Sequence, residues 1–251
     1  MLVRPSGAIV PCLALAILTS GCKSARAPRL ASGHDERAVS LVIANVPVAA
    51  EYFEPRQAGS RPAVVLLYGS GGMVGAAPAY RWYARSLADS GVTTIICPYF
   101  EASHGRERRN AANTRIWVKA VQDCVTFLGK QPHTDKRRIG ILGFSMGGYL
   151  GMSAIPHEPR VHAFVDFFGP RPELRASDWA KFPPSLILHG RDDRSVGVSN
   201  SRELDRNLTA AKVRHELVLY PAQGHGFREP AAGDAHRRTV EFFVKNLAQP
   251  Q

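Results

Sequence analysis

From Arg138 to Gly148 the chain reads RIGILGFSMGG. A short, continuous apolar run of this kind suits a strand buried on both faces of a parallel sheet. It passes into Gly143-Phe144-Ser145-Met146-Gly147, and a second apolar stretch follows. A chain that turns from buried strand into helix this abruptly leaves no room for a Cβ at the flanking positions, which accounts for glycine at both. The pattern predicts a strand–turn–helix with Ser145 held in a strained conformation at its tip. The hydroxyl would stand exposed above the sheet, and the N-terminus of the following helix would direct N–H groups and partial positive charge toward it.

The rest of the chain repeats the alternation. Ser40–Val46 and Val48–Phe53 read as an opening pair of strands, with Asn45 and Pro47 near the turn. Ala63–Tyr68, Val92–Cys97, Arg138–Gly143, Val161–Phe168, Ser185–His189 and His215–Tyr220 read as further strands. Helical patterns fall at Ala79–Ser90, Thr114–Leu128, after Ser145, at Ser199–Ala211 and at Asp234–Asn246, and Gly169–Pro184 has room for one small helix. About eight strands and six helices in this order predict a doubly wound, mostly parallel α/β sheet with helices on both faces and no large cap. Residues 39–248 form one domain on this reading.

A serine hydroxyl needs a neighbouring base to become a nucleophile. Of nine histidines, His225 has the setting for that base. It lies in YPAQGHGF, after the last strand and before the last helix, and its flanking glycines let the ring swing over the sheet edge. His189, which ends the strand SLILH, reads as a structural residue. The acid follows the same strand, in LHGRDD. Asp193 is the choice, with Asp192 free to bond the loop or pair with Arg191 or Arg194, and Asp166 on the preceding strand as a further alternative. Asp193 would accept the His225 N–H, fix its tautomer and stabilise the imidazolium. Backbone N–H groups of Met146 and of Ser70, in the turn Tyr68-Gly69-Ser70-Gly71-Gly72, are the expected oxyanion donors. Tyr68, Phe144 and Phe227 are candidate pocket residues, with Met146 and Trp179 behind them.

The segments AVVLLYGSGG, IGILGFSMGG, LILHGRDD and YPAQGHGF together resemble the dienelactone hydrolase family of α/β-hydrolases, over about residues 45–247. The order Ser145…Asp193…His225 is that of the α/β-hydrolases. The resemblance implies hydrolysis of a small-molecule ester or lactone through an acyl-enzyme, without metal or cofactor. Two departures count against dienelactone itself as substrate. Founding members of that family use Cys where Ser145 stands. They also hold a substrate carboxylate with arginines, and the spacing of Arg228 does not match theirs. A peptidase or amidase on the same fold, and a non-catalytic envelope binding protein, are the alternatives.

The first residues stand apart from this pattern. Arg4, an apolar stretch from Ala8 to Leu18, and Thr19-Ser20-Gly21 before Cys22 describe a secretory signal peptide over residues 1–21. The apolar run is short for a transmembrane helix. Leu18-Thr19-Ser20-Gly21-Cys22 resembles a bacterial lipobox, which implies acylation of Cys22 and anchoring at a cell-envelope membrane. Lys23 after the Cys suggests the outer membrane by the same resemblance. Residues 22–38, rich in Ala, Ser, Arg and Pro, read as a flexible tether. Cys97 and Cys124 remain in the domain, as buried thiols or, given suitable geometry, as a disulfide.

The formal net charge is +11, and +10 once Arg4 leaves with the leader. The basic residues are scattered. Their densest cluster, Arg106, Arg108 and Arg109, has no interleaved aromatics and no recognition motif around it, so a solvated basic face is expected and not a nucleic-acid site. Oligomeric state is not written in the sequence. Mass analysis of the mature N-terminus tests the leader: an acylated Cys22 as first residue is expected, and an unmodified Cys22 or cleavage elsewhere would refute it.

Overall fold

The computed structural model describes residues 33–103 and 110–248. The leader, Cys22, most of the tether and the Arg106–Arg109 cluster lie outside them. The elements run β1 (His34–Ile43), β2 (Val46–Pro55), β3 (Arg61–Leu67), α1 (Ala77–Asp89), β4 (Thr93–Ile96), α2 (Ala111–Gly129), β5 (Thr134–Phe144), α3 (Met146–Ala154), β6 (Val161–Phe167), α4 (Ala176–Trp179), β7 (Ser185–Gly190), α5 (Ser199–Ala210), β8 (His215–Tyr220) and α6 (Ala231–Asn246). The strands form one sheet in the order β1-β2-β4-β3-β5-β6-β7-β8. β1 and β2 form an antiparallel hairpin, β2 pairs antiparallel with β4, and all other pairings are parallel.

β3, β6, β7 and the part of β5 from Arg138 on are the apolar runs of the sequence, and their side chains are almost entirely buried. Helices cover both faces of β5. At Gly140 a Cβ would lie 2.7 Å from the Phe243 ring of α6. The next residue, Ile141, faces the opposite way, as successive strand residues must, and there meets Gly151 of α3. α2 lies beside α3 and buries Trp117, Ala120, Val121, Cys124, Val125 and Leu128. Its N-terminus is capped by Asn110, whose side chain accepts the Asn113 N–H at 2.8 Å. Cys97 and Cys124 are both buried free thiols.

Chain order and strand order diverge in one place. From β3 the chain steps outward to β4, then returns across β3 to β5 and winds the other way through β6, β7 and β8. Ligands of open α/β sheets bind at such a reversal, beyond the carboxyl ends of the strands. Here it falls between β3 and β5, where the Tyr68–Gly72 turn and Ser145 begin.

The expected tether runs into the sheet. Its last residues, His34 to Arg37, belong to β1, paired with Pro55 to Tyr52. His34 is buried, with Nδ1 2.6 Å from Asp89 at the end of α1. Arg37 lies over the Tyr52 ring at 4.5 Å and pairs with Glu54. Polar composition suggested a tether, whereas the partners that order this segment are distant in sequence. The hairpin turn is Ala44-Asn45, both at positive φ, the conformation that matches strand twist in a two-residue loop. Pro47 lies within β2.

Trp117 is fully buried, packs edge-on against Tyr99 and Phe100, and donates its Nε1–H to Ser103 Oγ at 3.0 Å. Truncating it leaves a cavity that this rigid sheet cannot close. Trp117→Ala is expected to lower unfolding stability by about 3–5 kcal/mol, read as a lower urea midpoint at unchanged slope.

Candidate active site

Ser145 takes φ 52° and ψ −113°. A non-glycine residue held in such a sparsely populated region costs about 1–3 kcal/mol. The turn is clamped on both sides, since the Ser145 N–H donates to Phe167 O at 2.8 Å and Ser145 O accepts the Tyr149 N–H at 3.1 Å. A Cβ on Gly147 would lie 2.2 Å from the Leu67 carbonyl oxygen, and one on Gly143 would lie 2.6 Å from Gly147. Both positions therefore require glycine for close approach. Serine at a helix start commonly turns its oxygen back onto the helix N–H groups. Ser145 makes no such bond; its Oγ points to His225 Nε2, 2.9 Å away.

His225 Nδ1 lies 2.7 Å from Asp193 Oδ2. That carboxylate only accepts, so Nδ1 carries the proton, and Nε2 is left as the acceptor for the serine hydroxyl. Asp193 is buried, and its other oxygen, Oδ1, accepts the N–H groups of Ser195 and Val196 at 2.8 and 2.9 Å. Burial pushes the Asp193 carboxyl up, but the Val196 N–H, His225 and the Ser195 N–H outweigh it and hold the group below the usual carboxylate range. An anion is thereby kept beneath the imidazole. Asp192 is exposed, and its backbone N–H donates to Gln223 O, tying its loop to that of His225.

His189 is a buried structural residue. Its Nε2 lies 2.9 Å from Val196 O, an acceptor, so Nε2–H donates there and Nδ1 accepts from Ser201 Oγ at 2.5 Å. The same Nε2 lies 3.3 Å from Asp193. Burial lowers its pKa, which keeps the ring neutral. It braces the loop that carries Asp193.

The turn that carries Ser70 approaches Ser145. A Cβ on Gly69 would lie 3.5 Å from Ser145 Cβ. The Gly69 N–H donates to Tyr80 Oη at 3.0 Å, Tyr99 Oη donates to Tyr68 O at 2.8 Å, and a Gly72-to-Gly69 bond closes the turn. Ser70 follows in this pinned turn, and Met146 is the first residue of α3. Among the described residues neither N–H has an acceptor.

The candidate pocket residues divide. Phe144 and Phe227 line a cleft of about 460 Å³ that includes Ser145, His225, Gly69 and Ser70. Tyr68 does not. It is buried behind the turn, stacked on Tyr99, and donates its hydroxyl to Glu101 at 3.1 Å. Tyr68 follows the end of β3, and its ring is held in the core by Tyr80, Tyr99 and Phe100. Trp179 packs on Phe182, away from the cleft, and the half-buried Met146 side chain packs on the core. Three cleft features escaped the sequence. Phe168, at φ 43°, sets its ring 4.6 Å from that of His225; its place at the end of β6 was the available signal. Tyr80 and Trp82 come from α1, whose pattern shows an apolar face but not what that face meets.

Asp166 lies beneath the turn. Its Oδ2 accepts the Gly169 N–H at 3.2 Å, Oδ1 packs against Gly148, and Oδ1 has no hydrogen-bond partner among the described residues. Burial pushes its pKa up to about 7. The folded protein thus binds this proton more tightly than the unfolded chain. The stability so linked is fully present below the unfolded carboxylate range and is lost as pH rises toward 7. In Asp166→Asn the urea midpoint is expected to fall less between pH 4 and pH 7 than in the wild type. An unchanged slope would show that Asp166 is not the group responsible.

Comparison with known proteins places this geometry. The model of the family described as "Dienelactone hydrolase family" matches residues 48–247. A Synechocystis protein named "Putative carboxymethylenebutenolidase" is 22% identical over 83% of this chain and 96% of its own length. The chain spans about half the length of relatives of that name from enteric bacteria. Among solved structures, a dienelactone hydrolase from Anabaena variabilis superposes with TM-score 0.70 at 24% identity, covering 85% of this chain and 99% of that one. A puromycin-hydrolyzing peptidase of Mycobacterium tuberculosis superposes with TM-score 0.73 at 19% identity, covering 89% and 41%.

Proposed function

The chain belongs to the dienelactone hydrolase family, and on that premise we propose that it is a serine hydrolase that cleaves carboxylic esters or lactones with Ser145, His225 and Asp193. The observation that carries the reading is the unbroken line from Ser145 Oγ to His225 Nε2, 2.9 Å, and from His225 Nδ1 to Asp193 Oδ2, 2.7 Å. Each bond has the polarity the chemistry needs: an acceptor nitrogen at the serine and an anion at the far side of the ring.

The steps follow from that polarity. Ser145 Oγ attacks the carbonyl carbon as its proton passes to His225 Nε2. Negative charge collects on the former carbonyl oxygen and meets the N–H groups of Ser70 and Met146, with the α3 N-terminus behind them. The tetrahedral species collapses, and the departing alkoxide takes the proton from Nε2, leaving an acyl-serine. Water then loses a proton to Nε2 and attacks the acyl carbon. The acid departs and the serine hydroxyl is restored. Asp193 stays ionised throughout and stabilises the transient imidazolium.

Cleavage of amides is the second reading, because the same apparatus accepts a leaving amine and the fold is shared with a peptidase structure. We further propose, from Arg4 to Cys22, that the enzyme is exported and held at an envelope membrane by a lipid on Cys22, with the residues between Cys22 and β1 leading to a domain that ends near 248. No helix among the described residues is long and apolar enough to cross a membrane.

A fluorophosphonate probe is expected to label the wild type and not Ser145→Ala. Absence of wild-type labelling favours a binding protein, and undiminished labelling of the variant would sink the assignment. Asp193→Asn should retain labelling at a much reduced rate, with kcat down by about 10⁴-fold. Nitrophenyl esters beside aminoacyl nitroanilides separate esterase from amidase.

A further inference from the structure

The cleft beside Ser145 is built from rings and alanines. Phe144, Phe167, Phe168 and Phe227 line it, together with Ala76, just before α1, and Ala79 of α1. No Lys, Arg, Asp or Glu is among its lining residues in the described part of the chain. Its polar groups are uncharged: Ser145, the Gly69–Gly71 turn, the Tyr80 hydroxyl already engaged by the Gly69 N–H, the Tyr83 hydroxyl and the Trp82 indole N–H, together with the His225 imidazole of the reacting end. The walls are fixed. Phe144 stacks on Phe167 at 4.6 Å, and Phe168 meets Phe227 edge-on at 5.5 Å. Trp82 is 41% exposed, yet it lies flat on His236 of α6, with centroids 3.8 Å apart and planes 3° from parallel. An exposed indole locked in this way is a preformed wall.

Such a site rewards removal of apolar surface from water and offers a carboxylate nothing in exchange for its hydration. We propose that the substrates are uncharged esters whose larger apolar group, a phenyl ring or short alkyl chain, seats against these rings, and that esters carrying a free carboxylate on that group are poor substrates. The inference rests on the hydrolase reading above and adds the chemical class of the substrate.

Two ester series test it on the full-length protein. In one, the acyl group of a 4-nitrophenyl ester grows from acetyl through butanoyl and hexanoyl to benzoyl. In the other, the alcohol of an acetate grows from ethyl to butyl to phenyl. In at least one series kcat/KM is expected to rise about fourfold for each added methylene until the cleft is filled. 4-Nitrophenyl hydrogen succinate is expected to fall roughly tenfold or more below its neutral methyl ester. Ala79→Trp and, separately, Ala232→Leu should each reduce the gain from apolar length, read as the ratio of hexanoyl or phenyl ester to the smallest ester. Flat or falling profiles in both series, or preference for the carboxylate-bearing ester, would overturn this inference and leave the hydrolase reading standing. Failure of every ester, together with no fluorophosphonate labelling, would overturn both.

Discussion

Three stretches of backbone meet at the turn that carries Ser145, and they meet without side chains between them. Gly147 lies against the Leu67 carbonyl at the end of β3, Gly143 lies against Gly147, and the Ser145 N–H is bonded to Phe167 at the end of β6. The turn is therefore wedged between the strands on either side of β5. Its strained φ persists because the neighbours leave no other path. The same wedge brings the Gly69–Gly72 turn beside the serine. A relaxed turn would let Ser145 cap α3 with its own hydroxyl and would remove the oxygen from the cleft.

Around that fixed point the polar groups are arranged in depth. His225 sits near the surface on a loop, and Asp193 sits beneath it, fully engaged by two backbone N–H groups and the imidazole. His189 lies deeper still, neutral and committed to Val196 and Ser201. Two histidines on successive strand ends thus do different work, and their partners explain the difference. One faces an anion and a hydroxyl that opens on the cleft. The other is buried, with the Val196 carbonyl and the Ser201 hydroxyl as its nearest partners and Asp193 farther off at 3.3 Å. Asp166 is the uncompensated group of the region, a carboxyl whose burial is tolerated because it can hold its proton near neutral pH.

The apolar side of the cleft is shared between the Ser145 and His225 segments, which supply Phe144 and Phe227, and helices that carry none of the triad. α1 and α6 lie together, and the Trp82–His236 stack joins them. The segment after β6, where this fold can carry a lid, is short and holds only the single turn of α4. Helix faces and Phe168, whose ring packs on both the imidazole and the Phe227 ring, therefore border the cleft.

The strands, the long helices and the Ser145, Asp193 and His225 positions were legible because each leaves a local trace. A buried strand needs consecutive apolar residues, a tight strand-to-helix turn needs glycine, and a loop that returns a side chain to the sheet edge needs glycine beside it. Those requirements act over a few residues, so the amino-acid order alone expresses them. The start of β1 at His34, the burial of Tyr68 behind the turn and the aromatic wall from α1 left no such trace. Each depends on a partner far along the chain: Tyr99 for Tyr68, Asp89 for His34 and His236 for Trp82. Local stereochemistry determined where the chain turns and which groups stand at the turns. Packing between distant segments decided which side of each element faces the cleft, because a side chain's surroundings are set by what the folded chain brings against it.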